Sequence, residues 1–146
     1  MHQSHTLIYT LGHTVLMFPS VAEIEELADM HASEPVFISL YLNSERGIDW
    51  RFLSRREREC RRVLEGKREW LQSFEENMKQ IYKFLEEYRG GKGLALFCSH
   101  KNALFRAYNL AVSIKNQMSV DTSPYVRALT ALADDFEPFV VVMVDE

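Results

Sequence analysis

The chain has 146 residues, 47% of them hydrophobic and 26% charged, with a formal net charge of −4. That length suits a single domain with one core, since a compact fold of this size buries roughly 70% of the surface its unfolded chain exposes. The composition excludes a disordered or low-complexity chain, and no repeat at solenoid spacing occurs.

Residues 1 to 18 contain His2, His5 and His13 but no Lys or Arg, so the basic start of a secretory signal is missing. The longest apolar run is too short to cross a bilayer, and together these features predict a soluble, cytoplasmic protein with no membrane partner. The two cysteines, Cys60 and Cys98, have no metal-ligand spacing around them and read as reduced core thiols.

In chain order, "LIYTLGHTVLMFPS" (7 to 20) reads either as an edge strand or as a cover for the core. Ser20 with Glu23 three residues on forms a capping box, and Ile24, Leu27 and Ala28 give the apolar side of a helix from Val21 to Ala32. "VFISLYLN" (36 to 43) is β-branched and aromatic, and predicts a strand. Residues 51 to 88 read as helix almost throughout, because Leu53, Cys60, Leu64, Leu71, Phe74, Met78, Ile81, Leu85 and Tyr88 recur at steps of three, four or seven. Gly66 interrupts the pattern and is compatible with either a turn between two antiparallel helices or one bent helix.

The stretch "RGGKG" (89 to 93) lacks P-loop spacing and follows a helix, so it reads as a helix stop leading into a strand. "GLALFCS" (93 to 99), the turn "HKN" and "ALFRAYNL" (103 to 110) predict a β-hairpin. A polar stretch follows, then Pro124 in the first turn of a helix carrying Val126, Leu129 and Leu132. The run Phe139 to Val144 reads as a strand buried on both faces. The whole predicts an α/β sandwich on a mixed sheet of four to five strands with a long helical hairpin.

Charge is the informative asymmetry. Between Arg51 and Arg68 there are eight basic residues against three acids, a net of +5, which leaves −9 for the rest of the chain. Steps of four, three and four place Arg51, Arg55, Arg58 and Arg62 on one helical face, opposite Leu53, Cys60 and Leu64. With Lys67 and Arg68, these form a candidate nucleic-acid-binding set, because guanidinium forks match phosphate oxygens. The competing reading is a solvated face neutralised by Glu57, Glu59 and Glu65, and with it a protein-interaction module of overall acidic character. The histidines are scattered, and no nucleophile elbow or metal-ligand cluster is present. No metal, cofactor or catalytic constellation is therefore predicted.

Three blocks, "FISLYLN" (37 to 43), "KGLALFCS" (92 to 99) and "SPYVRALTALADDFEPFVVVMVDE" (123 to 146), resemble the N-terminal domain of archaeal and eukaryotic class-one peptide chain release factors. The phrase "KNQMSVDTSPYVRAL" (115 to 129) is similar to their bacterial and archaeal release-factor-like relatives. The resemblance spans residues 21 to 146 and implies an α/β sandwich with a helical hairpin at one end. It implies a multidomain parent of which this chain is the first domain, acting on the ribosome or tRNA in translation termination or ribosome rescue. The sequence departs from the family at its codon-reading motifs. The bend "LEGKREW" (64 to 70) has no Asn-Ile-Lys-Ser, and Met118, Val120 and Pro124 stand where the family carries Tyr, Cys and Phe. The Gly-Gly-Gln that promotes peptidyl-tRNA hydrolysis belongs to the family's second domain and is absent from these residues.

Overall fold

A computed structural model of the chain describes the backbone of residues 6–10 and 13–16 and the whole of residues 18–133. The expected last strand, 139 to 144, lies outside the described residues.

The elements run β1 (Thr6–Thr10), β2 (His13–Leu16), α1 (Val21–Asp29), β3 (Phe37–Asn43), α2 (Trp50–Leu64), α3 (Arg68–Glu87), β4 (Gly93–Ser99), β5 (Leu104–Leu110) and β6 (Gln117–Asp121). A helix over 127–133 closes the described part. The strands form one sheet in the order β1-β2-β5-β4-β3-β6. Its centre, β5-β4-β3-β6, is antiparallel throughout. The β1-β2 hairpin joins at the β5 edge through a parallel pairing, which makes the sheet mixed.

Alternation along the strands divides the side chains between two layers. Ile38, Leu40 and Leu42 of β3, with Leu94, Leu96 and Cys98 of β4, meet Leu53, Cys60 and Leu64 of α2 and Phe74, Met78, Ile81 and Phe84 of α3. Phe37, Tyr41, Ala95, Phe97 and Tyr108 point the other way, against Leu27 of α1 and Leu129 of the last helix. The result is an α/β sandwich, as the mixture of elements predicts. Cys60 and Cys98 are both buried and free, and burial pushes the Cys98 thiol up to about 12.

Of the two readings open for 51–88, the structure has the turn between two helices, because Lys67 adopts an extended conformation (φ −128°, ψ 105°) and restarts the chain in the opposite direction. Other boundaries differ from the sequence reading, each for a physical reason. The first helix stops at Asp29, three residues early, where Met30 turns extended. The stretch between β5 and Pro124 contains a strand, β6, so the sheet has six strands among the described residues instead of four to five. Pro124 precedes its helix instead of opening it, because the Tyr125 N–H donates to Ser39 Oγ at 2.8 Å and the Tyr125 carbonyl accepts from Tyr41 Oη.

The glycines of "RGGKG" serve packing. A Cβ on Gly90 would fall 1.6 Å from the Tyr88 hydroxyl, and one on Gly93 would lie 2.6 Å from the Val112 carbonyl.

Candidate nucleic-acid interface

α2 is aimed by its two ends. Before it, the Ser44 amide donates to the Lys92 carbonyl at 3.0 Å, and Ser44 Oγ donates to the Gly91 carbonyl at 2.8 Å. Asp49 then caps the first turn by accepting from the Phe52 amide at 3.0 Å. Arg61 and Arg62 occupy the last turn, where the helix dipole favours cations.

The inward face carries Phe52, Leu53, Cys60 and Leu64, all buried. On either flank an arginine is tied down. Arg56 Nε donates to the Met118 carbonyl at 2.9 Å, closing over β6, and its Nη1 reaches Glu59 at 3.1 Å. On the α3 side Arg61 donates to Glu57 at 2.7 Å and also to Glu75. Glu57 accepts in addition from the Tyr82 hydroxyl at 2.7 Å. Burial, and then the hydrogen bond to Glu57, hold that hydroxyl well above the usual phenol range.

The outward face is different. Arg51, Arg55, Arg58 and Arg62 lie within an arc of about 60° at 3.6 residues per turn, and all four are exposed. Among the described residues none of the four forms an ion pair, while Glu57 and Glu59 are engaged by Arg61 and Arg56. Arg58 Nη1 donates to Ser54 Oγ at 3.3 Å, and the Arg55 guanidinium sits 5.6 Å from the Phe52 ring centre. Both contacts orient the side chain without neutralising it. The row rises about 16 Å along the helix axis at 1.5 Å per residue.

Lys67 and Arg68 lie beyond the row at the tip of the hairpin, also exposed. Lys67 makes no side-chain cap for α3 and places its ammonium 5.4 Å from the Trp70 ring centre. Thus the six residues of the predicted set are exposed together on α2 and the tip that follows it. Each lacks an ion-pair partner among the described residues.

Trp50, which the sequence reading does not single out, begins α2 just before Arg51, on the flank that faces α3. Its ring stacks on Tyr82 with centroids 6.1 Å apart and planes 15° from parallel, and the residue is 44% exposed. The signal was present: Trp50 falls off the apolar period set by Leu53, Cys60 and Leu64.

Shallow pockets open on the surface formed by the described residues. One, of about 330 Å³, is lined by Gln80, Lys83, His100 and Phe105; another, of about 310 Å³, lies before α2 among Asn43, Arg46, Asp49 and Asn116. No group of three His, Cys, Asp or Glu able to hold a metal occurs among the described residues. No helix among them is long and apolar enough to cross a membrane.

No protein-family model matches the chain, and no curated protein is similar to it. A solved structure described as "Archaeal protein" is similar at 17% identity with a TM-score of 0.60, over 78% of this chain and 34% of that one. That likeness shows the fold, and this chain spans about a third of that protein's length.

Proposed function

We propose that this chain is a release-factor-like N-terminal domain that docks on the phosphates of the ribosome or tRNA, in translation termination or ribosome rescue. It contributes binding and no catalysis of its own. The observation that carries the reading is the row Arg51, Arg55, Arg58 and Arg62, exposed and without carboxylate partners among the described residues, on a helix whose opposite face is fixed in the core. A row of guanidinium groups presented in this way matches a polyanionic backbone. Had the face been a solvated, self-neutralised one, Glu57 and Glu59 would pair with the row. They pair instead with Arg56 and Arg61 on the flanks, which favours a nucleic-acid partner over a protein-interaction module. The α/β sandwich with its helical hairpin is the architecture that the release-factor resemblance implies, although the sheet has six strands among the described residues where four to five are expected. The departures at the codon-reading motifs argue for docking without stop-codon selection.

The test is co-sedimentation with vacant ribosomes, and binding to bare tRNA, across a salt series. Binding should fall steeply with salt. Arg55→Glu with Arg62→Glu should abolish it and lower the log-log salt slope by about 2, roughly one per lost phosphate contact. Unchanged binding by the double reversal would remove the row from the interface.

A further inference from the structure

The arginine row accounts for phosphate contacts and leaves Trp50 without a role. Tryptophan at 44% exposure is unusual for a ring able to bury 150–250 Å². It is not part of the hydrophobic layer beneath α2, whereas Ile48, Trp70 and Tyr82 pack against that layer. Its contact is the stack on Tyr82. Tyr82 is in turn fixed from behind, since its hydroxyl donates to Glu57, and Glu57 accepts from Arg61. The chain Arg61–Glu57–Tyr82–Trp50 therefore holds an exposed indole in one orientation. Its loss of rotamer freedom is already met in the free protein, which is what a preorganised contact requires.

Position completes the argument. At 100° per residue Trp50 lies on the α3 flank of the helix, about 80° from the nearest edge of the arc that carries Arg51, Arg55, Arg58 and Arg62, with Ser54 between; its link to the row is Arg51, the next residue in the chain. Tyr82 stacks on the indole and the residue is still 44% exposed, so ring surface remains open to solvent. A flat aromatic surface beside a line of cations is the pairing that unpaired nucleotides recognise, with base on ring and phosphate on guanidinium. Bases inside a duplex are stacked on one another and offer no face to such a ring.

We propose that Trp50, buttressed by Tyr82, is a stacking platform for an unpaired base, so that the arginine row takes single-stranded RNA in preference to duplex RNA. This rests on the phosphate-docking reading above and specifies its ligand.

The experiment uses the full chain carrying Trp70→Phe, which leaves Trp50 as the sole tryptophan and therefore as the fluorescent reporter. The probes are a 12-nucleotide oligouridylate and a 12-base-pair duplex RNA at low salt. The expected result is quenching of Trp50 on titration with the oligouridylate and weaker binding of the duplex. Trp50→Ala, read by anisotropy of an end-labelled oligouridylate because the reporter ring is gone, should weaken binding by roughly 10- to 100-fold with the salt slope unchanged, and Trp50→Phe, read in the same way, should restore most of it. Equal affinity for duplex and single strand, with Trp50→Ala neutral, would overturn the platform while leaving the arginine row intact. Loss of both probes' binding only in the Arg55→Glu, Arg62→Glu variant would assign all affinity to the row and likewise overturn the platform. Absence of binding to either probe by the parent chain would overturn both readings.

Discussion

Two sets of arginines on the same helix behave in opposite ways. Arg56 and Arg61 lie on the flanks of α2, half-buried, and each is consumed by the fold: Arg56 by the Met118 carbonyl and Glu59, Arg61 by Glu57 and Glu75. Arg51, Arg55, Arg58 and Arg62 lie on the crest and meet no carboxylate among the described residues. The residue type, the helix and the backbone conformation are the same. Angular position alone decides whether a guanidinium clamps neighbouring elements or remains available to a ligand. Counting charge along the segment therefore overstates the docking surface, because two of its eight cations are spent on the helix's own surroundings.

The sharpest way to break this comparison is to remove one arginine from each set. Arg61→Ala should cost about 1–2 kcal/mol, because it leaves Glu57, with its side chain only 20% exposed, short of its charged donor. The Glu75 contact, half exposed, adds little to this. Arg62→Ala, one residue away and on the crest, should stay within about 0.5 kcal/mol. Urea denaturation of the two variants reads the difference directly. Equal losses would mean that the crest arginines are structural as well, and the division of labour would fail.

Alkaline titration tests the layer beneath the helix pair. Burial raises the Cys98 thiol to about 12 from an ordinary value near 9.0. The folded state thus holds this proton more tightly than the unfolded one. The associated stability is complete below about pH 9 and is lost as pH rises toward 12. The melting temperature should fall through that window, and Cys98→Ala should flatten the fall even if it lowers stability at neutral pH. A thiol reagent should leave both cysteines untouched in the native protein and label both in denaturant. Rapid native labelling of Cys98 would show that β4 is accessible, and that the layer fixing α2 and α3 is looser than its packing indicates.

Much of the frame was legible before the structure. The strands over 37–43, 93–99 and 104–110, the capped first helix and the inward stripe Leu53, Cys60 and Leu64 all follow from period and capping. What was illegible had local causes. β6 carries only Met118 and Val120 between Gln117, Ser119 and Asp121, an alternation too sparse to stand out from a polar loop, and β3 pairing supplies what local sequence does not. The choice between a turn and a bend at Gly66 was open because Leu64 and Leu71 are seven apart, so the apolar stripe stays in phase across it. Pro124 reads as a helix start, but hydrogen bonds from Tyr41 and to Ser39, more than eighty residues back, hold the next residue in place. The candidate interface was legible as a row and not as a free row. Spacing along α2 does not say which of several arginines takes Glu57 and Glu59, the Glu75 contact of Arg61 comes from α3, and the value of Trp50 depends on Tyr82, a partner brought near only by the hairpin.

The smallest expected effect concerns the turn that makes the hairpin. Gly66 does not have a left-handed φ, and a Cβ built on it would meet nothing within 4 Å. Alanine should fit without strain and should stabilise the protein by about 0.4–1 kcal/mol, through the lower entropy of the unfolded chain. A urea midpoint that rises at constant slope is the result to look for. RNA binding under the same salt should not change, because the proposed docking row lies along α2 and not at the turn. If stability rises while binding weakens, the added methyl is obstructing a close approach of nucleic acid to the backbone at 65–67. The interface would then extend past the crest onto Lys67 and Arg68, and those two cations would belong with Arg62 as phosphate contacts instead of serving only as solvated tip residues.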